Sequence, residues 1–318
     1  MTAAMSADLP LRDRLAHPDG EVRRIALLDL QYSDDDDFVP LVSKALADPD
    51  PGVREEAARV IEGYEEPEAL TGLVNLLRDP EEAVRKAAAE TLAEVKDPAS
   101  GRWIVPALDA QETFVLASAF RALRALRLPE VFERALRALG HADAVVRREA
   151  VGVLGYLRRP EAIARLAEIA ASDPDDEVRR VAIGALGYAS DISVLPSLTR
   201  ALGDRSWQVR EESAGIIGKL NFAAGVPDLI AALQDPYWQV ALKAARSLGR
   251  LKSLDAVDPL LALLSHKVSN LRKEVVIALG ESGDARAIVP LEGMLQDADP
   301  DVRKLARLAL GTIQSRKA

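Results

Sequence analysis

Asp48-Pro49-Asp50-Pro51-Gly52-Val53-Arg54-Glu55-Glu56-Ala57 decides the fold, because the chain returns to this phrase from end to end. The Val-Arg pair at its centre recurs as Val22-Arg23, Val84-Arg85, Val146-Arg147, Val178-Arg179, Val209-Arg210 and Val302-Arg303, with Leu271-Arg272 a close variant. Val115-Leu116 and Val240-Ala241 keep the apolar residue and lose the arginine. These ten anchors are 31 residues apart at every step but one, which is 32. A fixed period of this length is the signature of stacked supersecondary units.

Other positions repeat with the anchor. Four residues on stands a small residue, as in Ala26, Ala57, Ala88, Ala119, Ala150, Ala182, Ser213, Ala244 and Ala306, with Val275 the exception. Eight residues on is always Leu or Ile, as in Leu30, Ile61, Leu92, Leu154, Ile217 and Leu310. These spacings put the side chains on one helical stripe. Gly155, Gly187, Gly218, Gly249, Gly280 and Gly311 follow directly, a placement that suits a helix end needing a left-handed residue. Asp three residues before the valine reads as an N-cap. A second apolar segment precedes each turn (residues 70–77, 163–170, 229–233 and 260–264). Pro40, Pro106, Pro196, Pro227, Pro259 and Pro290 sit near the starts of these segments, where a missing N–H costs little. Each repeat therefore reads as helix A, a tight Asp-Pro turn and helix B. One such pair cannot bury its apolar faces alone, so neighbours must stack.

Composition agrees and sets limits. Hydrophobic residues make up 48% of the chain and aromatics 4%, so Ala, Leu and Val must fill the core. The net charge of −9 repels a phosphate backbone and argues against general nucleic-acid binding. There is no cysteine, which removes disulfides, thiol catalysis and zinc–thiolate sites and fits a cytoplasmic protein. Residues 1–10 lack the basic and apolar segments of a signal peptide. No run of 18 apolar residues offers a membrane span.

The Asp-Pro-x-x-x-Val-Arg-x-x-Ala signature resembles that of HEAT repeats, specifically the short bacterial type first recognised in phycobilin lyases. The resemblance covers residues 9–313. It implies one array over residues 1–318, coiled as a right-handed α–α superhelix with B helices on the concave surface and A helices on the convex one. It also implies that the recurring arginine and the turn aspartate form a ladder between repeats.

No catalytic constellation emerges. His17, His141 and His266 each stand five residues before an anchor, the slot held elsewhere by Asp48, Asp79, Asp173, Asp204, Asp235 and Asp297. They read as turn residues in repeats one, five and nine. With roughly 8–10 Å between stacked helices, they are too far apart to share a metal. The iron-binding His-Glu pairs of the HEAT-like deoxyhypusine hydroxylases are absent, and so are phosphate-binding glycine loops and nucleophile–His–Asp groupings. No cofactor is implied by the residues themselves. Paired carboxylates such as Glu55-Glu56 and Glu211-Glu212 read as solvated or salt-bridged surface. The acidic run from Asp34 to Asp37 reads as a charge cap on the helix that follows.

In a repeating array, departures from the repeat point to a site. Six residues after the anchor, repeats five, six and seven carry Gly152, Gly184 and Gly215, where others hold Arg59, Glu90, Arg121 or Arg246. Either these glycines tighten helix packing, or they leave a floor on which a partner approaches the backbone. Slot ten adds Tyr156 and Tyr188, slot three Glu149 and Glu212, and repeat eight turns basic with Lys243, Arg246 and Arg250. Such a groove suits a peptide or partner helix, unless the tyrosines merely cover helix ends. Trp207 and Trp238 share one slot, with Tyr237 beside the second. They form either an edge patch for a partner or caps on the seams between repeats. In repeat four, Phe114, Val115, Leu116 and Phe120 replace a polar helix start after Trp103, as a contact point, a hinge or simple repacking.

The expected function is a non-catalytic protein-interaction scaffold, with a peptide, helix or subunit held around repeats five to eight. The alternative, carried by the phycobilin-lyase resemblance, is a maturation factor handling a client that bears a pigment or cofactor. A nucleic-acid-binding HEAT protein is the third possibility, against the charge.

Overall fold

The computed structural model describes residues 9–32, 37–189 and 191–315; residues 1–8 and Asp34, Asp35 and Asp36 of the acidic run lie outside the described residues. Asp37, the last of that run, pairs with Arg12 at 2.8 Å. Every regular element among the described residues is a helix. None is long and apolar enough to cross a membrane. The helices group into two compact units, Met1–Leu157 and Arg158–Ala318, and each unit is an α–α solenoid.

The anchors lie on the B helices, labelled α1 to α10. The first unit has α1 (Gly20–Leu30), α2 (Pro51–Val60), α3 (Glu82–Ala93), α4 (Thr113–Leu123) and α5 (Ala144–Leu157). The second has α6 (Asp176–Leu186), α7 (Trp207–Lys219), α8 (Trp238–Arg250), α9 (Ser269–Ser282) and α10 (Pro300–Ser315). Within each unit successive B helices pack on one another, and each also packs on the shorter A helix before it. The expected stripe is the core: Val53, Ala57 and Ile61 are buried, as are Val209, Ser213 and Ile217. Burying a Val or Ile side chain is worth about 1.5–3 kcal/mol, so the stripe repeated along each unit is the main source of cohesion. Ser213 is tolerated there because its Oγ donates to the Leu198 carbonyl at 2.6 Å.

The turns are built as the spacing predicts. Asp50 accepts from the Gly52 and Val53 N–H groups, and Asp175 from the Val178 N–H. The ladder is also present. Arg54 reaches back with Nη1 to the Asp48 and Pro49 carbonyls and forward with Nε and Nη2 to both oxygens of Asp79. Arg23–Asp48, Arg179–Asp204, Arg210–Asp235 and Arg272–Asp297 repeat the same bidentate bond. One guanidinium thus closes its own turn and clamps the next, in the strong charge-assisted geometry available to arginine.

Burial works to raise the pKa of Asp48, Asp79, Asp204 and Asp235. The arginine bonds, the backbone N–H two residues on and the nearby positive charge outweigh it, so the net shift is downward.

The ladder also explains the histidines. His141 follows Leu116 and His266 follows Ala241, the two anchors without arginine. An aspartate in those turns would have no such arginine to neutralise it. Histidine keeps the other half of the job: Nδ1 accepts from the N–H two residues on, at 3.0 Å for His141 and 3.1 Å for His266. Those are the same bonds that Asp48 and Asp79 make to Asp50 and Glu81.

The slot-nine glycines are not left-handed helix ends. Gly155, Gly218, Gly249, Gly280 and Gly311 lie inside their helices, and Gly187 is right-handed at φ −66°. Several mark close helix crossings instead. A Cβ on Gly218 would lie 2.6 Å from Ser247 Cα, and one on Gly280 would lie 2.9 Å from Ala309 Cα. Left-handed residues come twelve after the anchor at Arg127 (φ 54°), Arg158 (53°), Asn221 (57°), Lys252 (51°) and Gly283 (73°), and ten after it in repeat two, at Gly63 (89°). Apart from the two glycines these carry side chains, which cost roughly 1–2 kcal/mol each in that conformation except where asparagine tolerates it.

Candidate functional site

In the second unit the surface departures of repeats seven and eight converge. Helices α6, α7 and α8 line a cleft of about 400 Å³ with Arg180, Gln208, Glu211, Glu212, Gly215, Lys219, Lys243, Arg246, Ser247 and Arg250. The helical period does this work: Lys243, Arg246 and Arg250 are three and four residues apart on α8, so they share a face. Gly215 forms part of the floor. A Cβ placed on it would meet only the Lys243 side chain, at 3.8 Å. Gly184 lies under Glu212, whose Oε1 would be 3.4 Å from an added Cβ.

Charge in the cleft is partly paired. Arg180 bonds Glu177 at 2.6 Å and reaches Glu212 at 3.5 Å. Arg246 holds buried Glu274 through two bonds, of 2.9 and 2.6 Å, and its pKa is raised by them. Lys243 stands 3.9 Å from Glu211. Lys219 lies 4.5 Å over the ring of Tyr188, and Arg158 lies 4.8 Å from the same ring. Tyr188 is 40% exposed, so this cation–aromatic stack stands at the surface beside the cleft.

The edge residues pair differently from their sequence slots. Trp207 stacks on Tyr237, with centroids 5.6 Å apart and planes 10° apart, and Arg210 covers the Tyr237 ring at 5.6 Å. Trp238, which shares the slot of Trp207, is half-buried nearby in sequence, while Tyr237 is exposed. The aromatic layer therefore sits on a ladder arginine.

Glu149, Gly152 and Tyr156 belong to the first unit. Glu149 is buried, between Arg148 at 2.8 Å and Arg124 at 3.6 Å. Gly152 lies under Arg124, whose Cδ would be 3.0 Å from an added Cβ. Tyr156 carries Arg124 and Arg127 at 5.7 and 6.0 Å from its centroid. A second cleft, of about 500 Å³, runs over α3, α4 and α5 past Ala89, Phe114, Ala117, Arg121 and Val145. Of the repeat-four residues, Leu116 and Phe120 point into the core, while Phe114 is half-buried under Arg85 at 5.9 Å.

Arg180, Gln208 and Lys219 were not singled out by sequence. Lys219 was legible, since it occupies slot ten between Tyr188 and Arg250. Arg180 and Gln208 flank the anchor in slots where charged and polar residues are common, and no contrast marked them.

A family model described as HEAT repeats matches residues 9–93, 53–124, 70–141, 101–187, 166–224 and 226–311. No curated protein matches the sequence. Among solved structures, the Escherichia coli protein YibA superposes with a TM-score of 0.56 at 20% identity, over 91% of this chain and 95% of that one. Kap95p, in a structure with RanGDP, gives 0.66 at 16% identity, over 98% of this chain. Kap121p bound to Nup53p gives 0.65 at 14%, over 95% of this chain. The chain spans about half the length of Kap95p, 50%, and 41% of Kap121p. At these identities the likeness concerns the fold.

Proposed function

The chain belongs to the HEAT-repeat family, and from that premise we propose that it is a non-catalytic scaffold holding a partner protein in the cleft over α6, α7 and α8. One observation carries the reading. Glu212, Gly215, Lys243, Arg246 and Arg250, which the register marks on one stretch of repeats seven and eight, line a single cleft. Solenoids of this fold commonly hold other proteins; Kap121p with Nup53p is an example. Tyr188 at the rim and the Trp207–Tyr237 layer at the edge extend the surface with residue types frequent at interface anchors. A peptide, a helix or a folded subunit all suit an open cleft of this kind. Hydrogen exchange on the chain with its captured partner tests the assignment. Slowed exchange on α7 and α8 supports it, and slowing confined to the first unit refutes it.

The finer kinship with the short phycobilin-lyase type rests on the 31-residue period and the Asp-Pro-x-x-x-Val-Arg signature. Under it, the client in the cleft carries a cofactor and the chain assists its maturation. Bilin-like visible absorbance in the purified complex is the discriminating readout; a colourless complex removes this reading. A cytoplasmic location, suggested by the absence of cysteine, belongs to the same proposal.

A further inference from the structure

We propose that the cleft over α6–α8 selects an acidic peptide segment, whose carboxylates are received by Lys219, Lys243 and Arg250; this rests on the scaffold reading above. The cleft holds cations whose charge is not fully paired. Arg180 and Arg246 are already committed to Glu177 and Glu274. Lys243 has Glu211 only at 3.9 Å, and Lys219 faces an aromatic ring. Arg250 is exposed at the end of α8, and no carboxylate stands within ion-pair distance of it among the described residues. Lys219 and Arg250 thus have no carboxylate within ion-pair distance among the described residues, and Lys243 has one only at the outer limit, on one face of a chain whose net charge is −9. A cleft with protein walls concentrates such a field and raises the local concentration of opposite charge.

The geometry favours a peptide over a nucleic acid. Glu211 and Glu212 stand among the cations in the same cleft. A polyphosphate backbone, with its closely spaced charge, would meet these carboxylates at every register. In an extended peptide, side chains on one face recur about every 6.8 Å, so acidic residues can address separate cations and leave neutral ones beside the glutamates. Gly215 adds the room: with no side chain there, a peptide backbone can settle between α7 and α8. Arg250 supplies the fork geometry that binds a carboxylate through two bonds.

Random dodecapeptides displayed and selected on the full chain test this. The expected result is a selected pool enriched in Asp and Glu that competes for one site. The Lys219→Glu/Arg250→Glu double variant should bind those peptides about tenfold or more weakly, as expected when two favourable charge contacts become repulsive. Its melting curve should stay unchanged, since both residues are exposed. A pool with no acidic bias, or acidic binders indifferent to the double variant, overturns the acidic specificity and leaves the scaffold reading standing. A single-stranded oligonucleotide that displaces the peptides and binds more tightly than they do also overturns it. The scaffold reading fails separately if binders of every composition are indifferent to Gly215→Leu, which fills the cleft.

Discussion

Repeats four and eight both lack the anchor arginine, and they differ in what they do without it. In repeat four the replacement goes inward: Leu116 is 8% exposed and Phe120 1%. The B helix there trades a surface clamp for core. In repeat eight the replacement is Ala241, also buried, and the difference lies on the outer face, where Lys243 and Arg250 stand in the slots of Ser118 and Ala125 while Arg246 matches Arg121. The clefts differ in degree: in the first unit Phe114, Ala117 and Val145 stand among Lys86, Arg121 and Arg148, whereas five cations line the second. A broken rung is therefore not by itself the mark of a site. What the outer face of the B helix carries, and not the lost arginine, separates the two repeats.

The largest effects should fall on the two replacement sets. Phe120→Ala should cost about 3–5 kcal/mol in urea denaturation, whereas Arg250→Ala should stay within about 0.5 kcal/mol of the parent. Comparable losses from both would erase the distinction. Next come the two kinds of glycine. Gly218→Ala pushes a methyl against Ser247 Cα and should destabilise by about 1–3 kcal/mol. Gly215→Ala, on the same helix, adds a methyl that meets only the Lys243 side chain at ordinary contact distance and should stabilise by about 0.5–1 kcal/mol. Equal signs in the two melts would contradict the packing assigned to them.

A smaller effect should come from rebuilding the missing rung. His266→Asp and Ala241→Arg should each destabilise alone. Together they should recover at least about 1 kcal/mol through coupling, and a double-mutant cycle without coupling would deny that histidine marks the interruption. The smallest is a pH response. Asp204 has a folded pKa below its unfolded value, so its contribution is complete above roughly pH 4–5 and is lost as the pH falls through the folded value. The melting difference between the parent and Asp204→Asn should accordingly shrink on acidification below about pH 4. A difference that persists to pH 2 would remove the charge from the account of the rung.

Most of the fold was legible because the register is a packing rule. Val53, Ala57 and Ile61 repeat as they do because only that stripe is buried. The ladder was legible through the resemblance, and the histidines through their slot. The glycines misled, since glycine after a helical stripe serves equally as a left-handed cap or as a close crossing, and only the neighbouring helix distinguishes them. The left-handed slot itself was hidden, because Arg127, Arg158 and Lys252 advertise no backbone freedom. Of the site, the residues differing from the repeat were visible. What each pairs with was not: Trp207 with Tyr237, Arg246 with Glu274 and Glu149 with Arg124 join residues whose meeting depends on side-chain reach between helices.

The most direct measurement fills one cleft at a time in the full chain. Gly215→Leu plugs the cleft of the second unit, and Ala117→Leu plugs the cleft of the first. Quantitative recovery of the native partner should collapse with Gly215→Leu and remain at the parental level with Ala117→Leu, with both variants folded by circular dichroism. Full recovery with Gly215→Leu, or loss only with Ala117→Leu, would contradict the placement of the binding site in the second unit.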